Sequence, residues 1–170
     1  MALKIEGIGT AVPEFSISQG DAAEVNKAFC RVGDRKLRLI PALYRRSGVS
    51  KRHSVLLEAP DGDPFDRQSF YSKATDEHDG GPTTLERMGV YEREAPPLAV
   101  RASRRAVVDG GIDPKDITHL VTVSCTGFHA PGIDTALIDD LGLRRTVART
   151  HIGFMGCHGA LNGIRVASSF

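Results

Sequence analysis

Hydrophobic and polar positions alternate along parts of the chain, and this two-residue period predicts strands. The segment Leu3–Gly9 alternates apolar residues with polar residues or glycine before Pro13 closes it, which is typical of a strand that enters a turn. The run Ile117–Cys125 predicts a buried strand, and Val147–Ile152 predicts another one. The pattern therefore places one strand at the start of the chain and two near its end.

A period of three to four residues predicts helices between these strands. Ser18 and Asp21 resemble an N-cap pair, and the apolar residues after them share one face, which predicts a helix from Ser18 to Phe29. From Leu98 to Asp109 the arginines share one face and the alanines lie on others, and Gly110-Gly111 supplies a stop. The pattern thus predicts a helix before the second strand.

The C-terminal part repeats the order of helix and strand. A short helix, Asp134–Leu141, is stopped at Gly142, and the strand Val147–Ile152 follows it. The turn Gly153–Gly159 then leads into a last helix, whose apolar face is predicted to consist of Ala160, Ile164 and Ala167. Alternating strands and helices indicate a layered α/β fold with a mixed sheet and covering helices.

Other segments give weaker patterns. The basic stretch Arg31–Lys51 is consistent with a helix and a turn, whereas residues 59–84 are rich in Asp, Gly, Pro, Ser and Thr and predict an irregular surface segment. A chain of 170 residues has the size of one domain. The last helix shows no glycine stop before Phe170, so we expect residues 1–170 to be an incomplete, truncated domain.

Composition narrows the class of protein. Of the residues, 41% are hydrophobic and 25% charged, with a formal net charge of +1, so the net charge predicts no attraction to nucleic acid or an anionic membrane. The sequence shows neither a signal-peptide core nor an apolar run long enough for a membrane span, which predicts a cytoplasmic location. Cys30, Cys125 and Cys157 are far apart in the sequence and predict neither a disulfide framework nor a metal site.

Cys157 is the candidate nucleophile. It lies where a strand is predicted to pass through a glycine-containing turn into a helix, and backbone N–H groups at a helix start favour a negatively charged sulfur. The alternative is that Cys157 is a buried packing residue, as free cysteines often are. His158 is a poor candidate for the partner base, because consecutive helical residues point about 100° apart. We interpret His129 and His151 as loop and strand side chains rather than ligands.

Two motifs resemble the chalcone and stilbene synthase family of type III polyketide synthases. The segment Phe154-Met155-Gly156-Cys157, with Ala160 and Asn162, is similar to the cysteine-bearing turn of the bacterial members. The segment Ser124–Asp134, followed by Leu141-Gly142-Leu143, is similar to the loop after the family's central strand. The similarity is good from about Pro96 to Phe170, fair from Leu3 to Arg52 and poor between.

The resemblance implies the N-terminal part of a thiolase-like fold and an acyltransferase activity. Such an enzyme loads an acyl group from coenzyme A onto Cys157 and condenses it with malonyl-CoA by a decarboxylative Claisen reaction, which gives a polyketide. The substrates are coenzyme A thioesters, and no other cofactor is implied. The family is expected to act as a homodimer and to use a His and an Asn from its C-terminal half, so the isolated chain is expected to be inactive.

The resemblance also assigns substrate-binding positions. Cys125, beside Thr126, falls where the family's cavity is lined, although a small buried residue at a strand end is an equal alternative. Ala130 replaces a methionine that the plant enzymes insert into the partner's cavity. Arg46 matches a position that binds coenzyme A phosphates, for which a guanidinium is well suited. The alternative for this basic stretch is a solvated surface.

Two other functions remain open from the sequence. An initiation 3-ketoacyl-acyl carrier protein synthase shares the fold and the Cys–His–Asn chemistry, but the two motifs favour the polyketide branch. A non-catalytic binding module, or an inactive half-fold that needs a C-terminal half, is the other possibility. The starter unit, the number of extensions and the mode of cyclisation are not encoded in recognisable motifs.

Overall fold

The computed structural model of the protein describes residues 3–29, 37–76 and 78–170, which form two compact units. The first unit comprises Met1–Ala11 and Leu85–Phe170, and the second comprises Val12–Thr84. Cys30 and the beginning of the basic stretch lie outside the described residues. The single domain predicted for residues 1–170 stays a prediction.

The described residues of the second unit include helices and a small antiparallel sheet. Strand β1 (Ser16–Ser18) pairs with β2 (Lys51–His53), and helices α1 (Gln19–Phe29) and α2 (Ile40–Arg46) lie in the same unit. The sequence pattern did not predict this pair of three-residue strands, which are too short to show a period. Ile17, Ala22 and Leu57 form the buried cluster of this unit.

The predicted N-cap of α1 is confirmed. The Ser18 hydroxyl accepts a hydrogen bond from the Asp21 backbone N–H at 3.0 Å and donates one to the Asp21 carboxylate at 2.7 Å. These bonds satisfy a backbone donor that the first turn of a helix otherwise leaves unpaired. The helix therefore begins at Gln19, next to the predicted residue.

The predicted irregular segment is also confirmed, because the described residues between 59 and 83 include neither a helix nor a strand. A buried arginine holds part of it: Arg67, whose relative exposure is 7%, donates hydrogen bonds to the carbonyl oxygens of Ala59 and Ser16. A buried guanidinium is costly unless its donors are paired, so these bonds stabilise a segment that has no regular backbone pairing.

The first unit contains helix α3 (Thr84–Gly110) and a strand–helix–strand–helix sequence. This sequence consists of β3 (His119–Ser124), α4 (Ile133–Leu141), β4 (Ala148–Gly153) and α5 (Gly159–Ala167). The two strands are parallel and in register from His119 with Ala148 to Ser124 with Gly153. The predicted order of elements in this region is confirmed, and so is the end of α4, where Gly142 has a left-handed backbone with φ of 69°.

The strand predicted for Leu3–Gly9 is wrong. This segment has no strand partner among the described residues, and it lies instead on the backbone of α3. A Cβ on Gly7 would lie 2.3 Å from the Ala106 carbonyl oxygen, and one on Gly9 would lie 2.0 Å from that of Ala102. Gly7 and Gly9 stood at the polar positions of the predicted strand pattern. In the structure, their lack of a side chain instead allows the segment to approach helix α3 closely.

Helix α3 is much longer than predicted. It begins at Thr84 rather than at Leu98, and it continues through Pro96 and Pro97. Proline usually lies in the first turn of a helix because it lacks an N–H donor. Because Pro96 and Pro97 lie inside this helix, the pattern did not predict the helical turns that precede them. The predicted end is confirmed, since the helix ends at Gly110 and Gly111 has φ of 60°.

The last helix buries a different face from the predicted one. Its buried residues are Gly159 and Gly163, whereas Ala160, Ile164 and Ala167 are exposed. The helix ends at Ala167, and Ser168 follows it with a helical backbone conformation. None of the helices in the described ranges is long and apolar enough to cross a membrane.

Candidate active site

Cys157 lies in a turn that joins the end of β4 to the start of α5. The turn contains a short 3-10 helix, Gly156–His158, and α5 follows it directly at Gly159. Phe154 and Gly156 both have a left-handed backbone, with φ of 60° and 61°. Glycine adopts this conformation readily, whereas a phenylalanine does so at a cost of about 1–3 kcal/mol. This unusual backbone leaves the Cys157 thiol exposed.

Two glycines bring the start of α5 onto strand β3. A Cβ on Gly159 would lie 2.9 Å from Val123 Cγ1, and one on Gly163 would lie 2.8 Å from Val123 Cγ2. Both distances are shorter than an ordinary contact between carbon atoms, so only glycine fits at this separation. The close packing places the turn that carries Cys157 beside the carboxyl end of β3.

The end of β3 carries the second cysteine of the site. Cys125 follows Ser124, which pairs with Gly153 at the end of β4, and the Phe154 N–H donates to the Ser124 carbonyl oxygen at 3.3 Å. The side chain of Cys157 is close enough to raise the pKa of the Cys125 thiol. The structure therefore brings together two of the predicted site residues.

The environment of Cys125 keeps its thiol protonated. Burial raises the pKa of Cys125, and the neighbouring Cys157 raises it further through its charge and through the hydrogen bond between the two side chains. Cys125 is partly buried, whereas Cys157 is exposed. The two thiols thus differ in exposure: Cys157 is accessible to a reagent, and Cys125 is partly buried.

Exposed apolar side chains lie in the same two loops as the two cysteines. The rings of Phe128 and Phe154 lie 5.7 Å apart between their centres, and both side chains are exposed, as is that of Met155. These residues belong to the loop after β3 and to the turn after β4. Exposed apolar side chains suit contact with a hydrocarbon chain.

The nearby histidines do not form a base for Cys157. His158 precedes α5 and its side chain makes no capping bond, while His151 Nδ1 lies 2.8 Å from the hydroxyl of Thr122. The His129 ring packs edge-on against Tyr91 beside a cavity of about 220 Å³, and its buried Nδ1 has no hydrogen-bond partner among the described residues. These positions agree with the interpretation of His129 and His151 as loop and strand side chains.

The other predicted site residues lie in two places. Thr126 and Ala130 are exposed in the loop after β3, where the Ser124 hydroxyl donates to the Gly127 carbonyl oxygen at 2.7 Å. Arg46 is the exposed last residue of α2 in the second unit. The roles of Thr126, Ala130 and Arg46 in substrate binding stay predictions.

Sequence reasoning missed the contact between the two thiols and the pairing of Phe128 with Phe154. One signal could have identified both. Cys125 and Phe128 follow β3, Phe154 and Cys157 follow β4, and the carboxyl ends of neighbouring parallel strands meet at one edge of a sheet.

The comparisons with known proteins identify the family to which the chain belongs. The chain belongs to the chalcone and stilbene synthases: the family model for their N-terminal domain matches residues 2–170. Solved structures of type III polyketide synthases with a thiolase-like fold are similar to this chain, which confirms the predicted fold class.

Individual relatives support the same assignment. The chain is 33% identical to the alpha-pyrone synthesis polyketide synthase-like Pks18 of Mycobacterium tuberculosis, over 98% of the chain and 39% of that protein. It is 29% identical to type III polyketide synthase C of Arabidopsis thaliana, over 94% of the chain and 40% of that protein. The chain therefore spans about two fifths of the length of these relatives.

The structural comparisons give similar coverage. PKS-I from the brown alga Ectocarpus siliculosus superimposes with a TM-score of 0.73 and 34% identity, over 97% of this chain and 43% of that one. The fungal type III polyketide synthase ORAS superimposes with a TM-score of 0.73 and 27% identity, over 99% of this chain and 41% of that one.

Proposed function

We propose that the protein is an acyltransferase that makes polyketides by decarboxylative Claisen condensation of a coenzyme A-linked starter with malonyl-CoA. The observation that carries this proposal is the exposed Cys157 thiol, in the turn between β4 and α5 of a chain that belongs to the chalcone and stilbene synthases. An accessible thiol at a strand–turn–helix junction is suited to form a covalent acyl intermediate.

In the first proposed step, the sulfur of Cys157 attacks the thioester carbonyl of the starter. A carbon–sulfur bond forms to the enzyme, and the carbon–sulfur bond to coenzyme A breaks, so the acyl group moves to Cys157 while coenzyme A leaves as its thiolate. The tetrahedral intermediate carries a negative oxygen that needs hydrogen-bond donors. In this family a His and an Asn of the C-terminal half are expected to provide them.

In the second step, malonyl-CoA loses carbon dioxide, and the resulting enolate attacks the thioester at Cys157. A carbon–carbon bond forms, and the bond from the acyl carbon to Cys157 breaks, which releases the cysteine sulfur. The extended chain remains on coenzyme A and can be loaded again. The apolar surface of Phe128, Phe154 and Met155 supports this proposal, because a growing acyl chain needs an apolar wall.

The remaining assignments belong to the same proposal. Cys125, Thr126 and Ala130 would contact the acyl chain, and Arg46 would bind coenzyme A phosphates. The same proposal includes acyl-CoA and malonyl-CoA as substrates and a homodimeric assembly, as the family resemblance implies, and a cytoplasmic location, as the sequence predicts.

Acylation of Cys157 tests the proposal directly. The chain, alone and with any C-terminal half that its gene encodes beyond Phe170, is incubated with octanoyl-CoA, and its peptides are analysed by mass spectrometry. Trypsin releases Cys157 in the peptide Thr150–Arg165, so the acyl group is expected on this peptide and absent after Cys157→Ala. We expect little or no acylation and no turnover by residues 1–170 alone.

Three results would contradict parts of the proposal. An extended protein that accepts octanoyl groups only from acyl carrier protein would belong to the ketoacyl synthase branch. An extended protein whose Cys157→Ala variant still carries the acyl group would use a different nucleophile. Efficient turnover by residues 1–170 alone would show that the C-terminal His and Asn are not required.

A further inference from the structure

Gln19 is the first residue of α1, and it is buried, with a relative exposure of 8%. Its side-chain Nε2 donates hydrogen bonds to the Tyr44 carbonyl oxygen at 3.0 Å and to the Ser47 hydroxyl at 2.7 Å. Its Oε1 accepts a hydrogen bond from Arg52 Nε at 2.7 Å. Because a buried amide without partners is costly, these bonds hold Gln19 against the end of α2 and against β2.

The two acceptors of the Gln19 amide lie on either side of Arg46 in the chain. Helix α2 ends at Arg46, Tyr44 belongs to its last turn, and Ser47 follows it directly. The Ser47 hydroxyl also donates to the Tyr44 carbonyl oxygen at 2.7 Å. Carbonyl oxygens in the last turn of a helix have no partner within the helix, and Gln19 and Ser47 supply partners for this one. The backbone of Arg46 is therefore held from both sides.

The two arginines near this network have different environments. Arg52 bonds to Gln19, and its guanidinium carbon lies 4.9 Å from the centre of the Tyr44 ring, which is a cation–π contact. Arg46 is exposed, and its guanidinium has neither a hydrogen bond nor an ion pair with any residue that the structure describes. Arg52 thus stabilises the network from within, whereas the Arg46 guanidinium is available to an anion from outside.

We propose that Gln19 is a positioning residue for coenzyme A binding: it fixes the end of α2, so that the Arg46 guanidinium is preorganised for a phosphate group. This role rests on the proposed function, in which Arg46 binds that phosphate. A guanidinium needs a defined orientation to bind phosphate oxygens through two parallel hydrogen bonds. A side chain on a fixed backbone also loses less conformational freedom on binding. Gln19 is buried and acts through α2.

The test measures the dissociation constant of coenzyme A by isothermal titration calorimetry, with the chain and any C-terminal half that its gene encodes beyond Phe170. Gln19→Met keeps an unbranched side chain of similar length and removes the amide. We expect the dissociation constant to rise about tenfold, the effect of losing roughly one charge-assisted hydrogen bond. Ser47→Ala removes one acceptor of the amide at an exposed position. It is expected to cause a rise of about threefold.

Gln68→Met is the matched control for Gln19→Met. Gln68 lies in the same unit, and its amide donates to the Tyr71 carbonyl oxygen at 2.8 Å and accepts from the Tyr71 N–H at 2.7 Å. The variant therefore loses a comparable pair of hydrogen bonds, and these bonds do not involve α2. Its dissociation constant for coenzyme A is expected to equal that of the wild type. A rise as large as that in Gln19→Met would contradict a role specific to Gln19.

A double variant distinguishes positioning from general damage. If Gln19 acts through Arg46, Gln19→Met should not weaken binding further once Arg46→Ala has removed the guanidinium. Acylation of Cys157 by octanoyl-N-acetylcysteamine, a thioester without phosphate, should be equally fast in Gln19→Met and in the wild type. Additive losses in the double variant, slower acylation by this thioester, or an unchanged dissociation constant in Gln19→Met would each overturn the proposal.

Failure of the proposed function gives different results. If Cys157 is not acylated, the calorimetric comparison still holds, because binding of coenzyme A forms no thioester. If Arg46→Ala binds coenzyme A as tightly as the wild type, the role proposed for Arg46 is wrong, and the positioning role of Gln19 is overturned with it. Weaker binding in Arg46→Ala but not in Gln19→Met would leave the proposed function intact and contradict only the role of Gln19.

Discussion

Gly163 of α5 lies so close to Val123 of β3 that a Cβ at position 163 would be 2.8 Å from Val123 Cγ2. Gly159, one turn earlier, lies against Val123 Cγ1 in the same way. The valine thus fills the space that two side chains would otherwise occupy. Because α5 begins immediately after the Cys157 turn, this contact determines how far the candidate nucleophile lies from the strand ends.

Gly163→Ala is expected to destabilise the protein. The added methyl group overlaps a β-branched side chain that has few alternative rotamers, and overpacking of this kind costs about 1–3 kcal/mol. Alanine is more favourable than glycine inside a helix by about 0.5–1 kcal/mol. This gain is smaller than the cost of overpacking, so the free energy of unfolding is expected to fall. Urea denaturation should show a lower midpoint than for the wild type.

Gly89→Ala is the matched control for Gly163→Ala. Gly89 lies inside α3 and has nothing within 4 Å of the place that an added methyl group would take, so only the helix preference remains, and a gain of about 0.5–1 kcal/mol is expected. The double variant Val123→Ala/Gly163→Ala should lose less free energy of unfolding than the sum of the losses of the two single variants. Strict additivity would show that the methyl group and Val123 do not collide.

Gly9→Ala is expected to detach the N-terminal segment from α3. A Cβ on Gly9 would lie 2.0 Å from the Ala102 carbonyl oxygen and 2.3 Å from the Ala106 nitrogen, and helix backbone cannot move aside as a side chain can. The neighbouring Ile8 N–H donates to the Asp109 carboxylate at 2.9 Å. Hydrogen exchange of the Ile8 amide should therefore become faster.

Gly80→Ala serves as the comparison for Gly9→Ala, because Gly80 is exposed and has nothing within 4 Å of its added Cβ. It is expected to leave exchange at Ile8 unchanged. Unchanged exchange in Gly9→Ala as well would mean that the segment does not depend on close contact with α3.

The sequence predicted best where a local signal decides the structure. Ser18 identifies the start of α1 because its hydroxyl bonds to a residue only three positions away, and Gly142 ends α4 through its own left-handed backbone. The sequence predicted poorly where contact with a segment far away in the chain determines the structure. Gly9 lies against α3, and no periodicity within residues 3–9 distinguishes that contact from strand pairing.

The same difference between local signals and long-range contacts applies to the candidate site. The motif around Cys157 predicted the candidate nucleophile, because the turn and the helix start are encoded in adjacent residues. The proximity of Cys157 to Cys125 depends on the register of β3 with β4 and on the glycine contacts with Val123. Such long-range packing is not visible in the period of either strand.

Ser18→Ala is expected to cost about 0.5–2 kcal/mol, the usual effect of removing an N-cap hydroxyl. The variant leaves the Asp21 N–H without its 3.0 Å acceptor at the start of α1. Ser16→Ala, in the same strand, is the control, since the Ser16 atom that Arg67 binds is the backbone carbonyl oxygen. Thermal unfolding of both variants checks the difference, and equal losses would argue against a capping role.

Cys157→Ala is expected to make Cys125 react with iodoacetamide at lower pH. The pKa of Cys125 is raised first by burial and then by the charge and the hydrogen bond of Cys157. The variant removes the last two causes, so the thiolate of Cys125, the form that is alkylated, is populated at a lower pH although burial still keeps its pKa raised. The measurement is the alkylation rate of the peptide Asp116–Arg144 as a function of pH.

Cys30→Ser provides the control for this titration, because it removes a thiol and leaves the pair intact. Its alkylation profile at Cys125 is expected to coincide with that of the wild type. If the profile of Cys157→Ala also coincides with the wild type, Cys157 contributes nothing to the raised pKa of Cys125, and burial alone accounts for it. A shift to higher pH would be equally incompatible with the contact, since removal of a negative neighbour favours the thiolate.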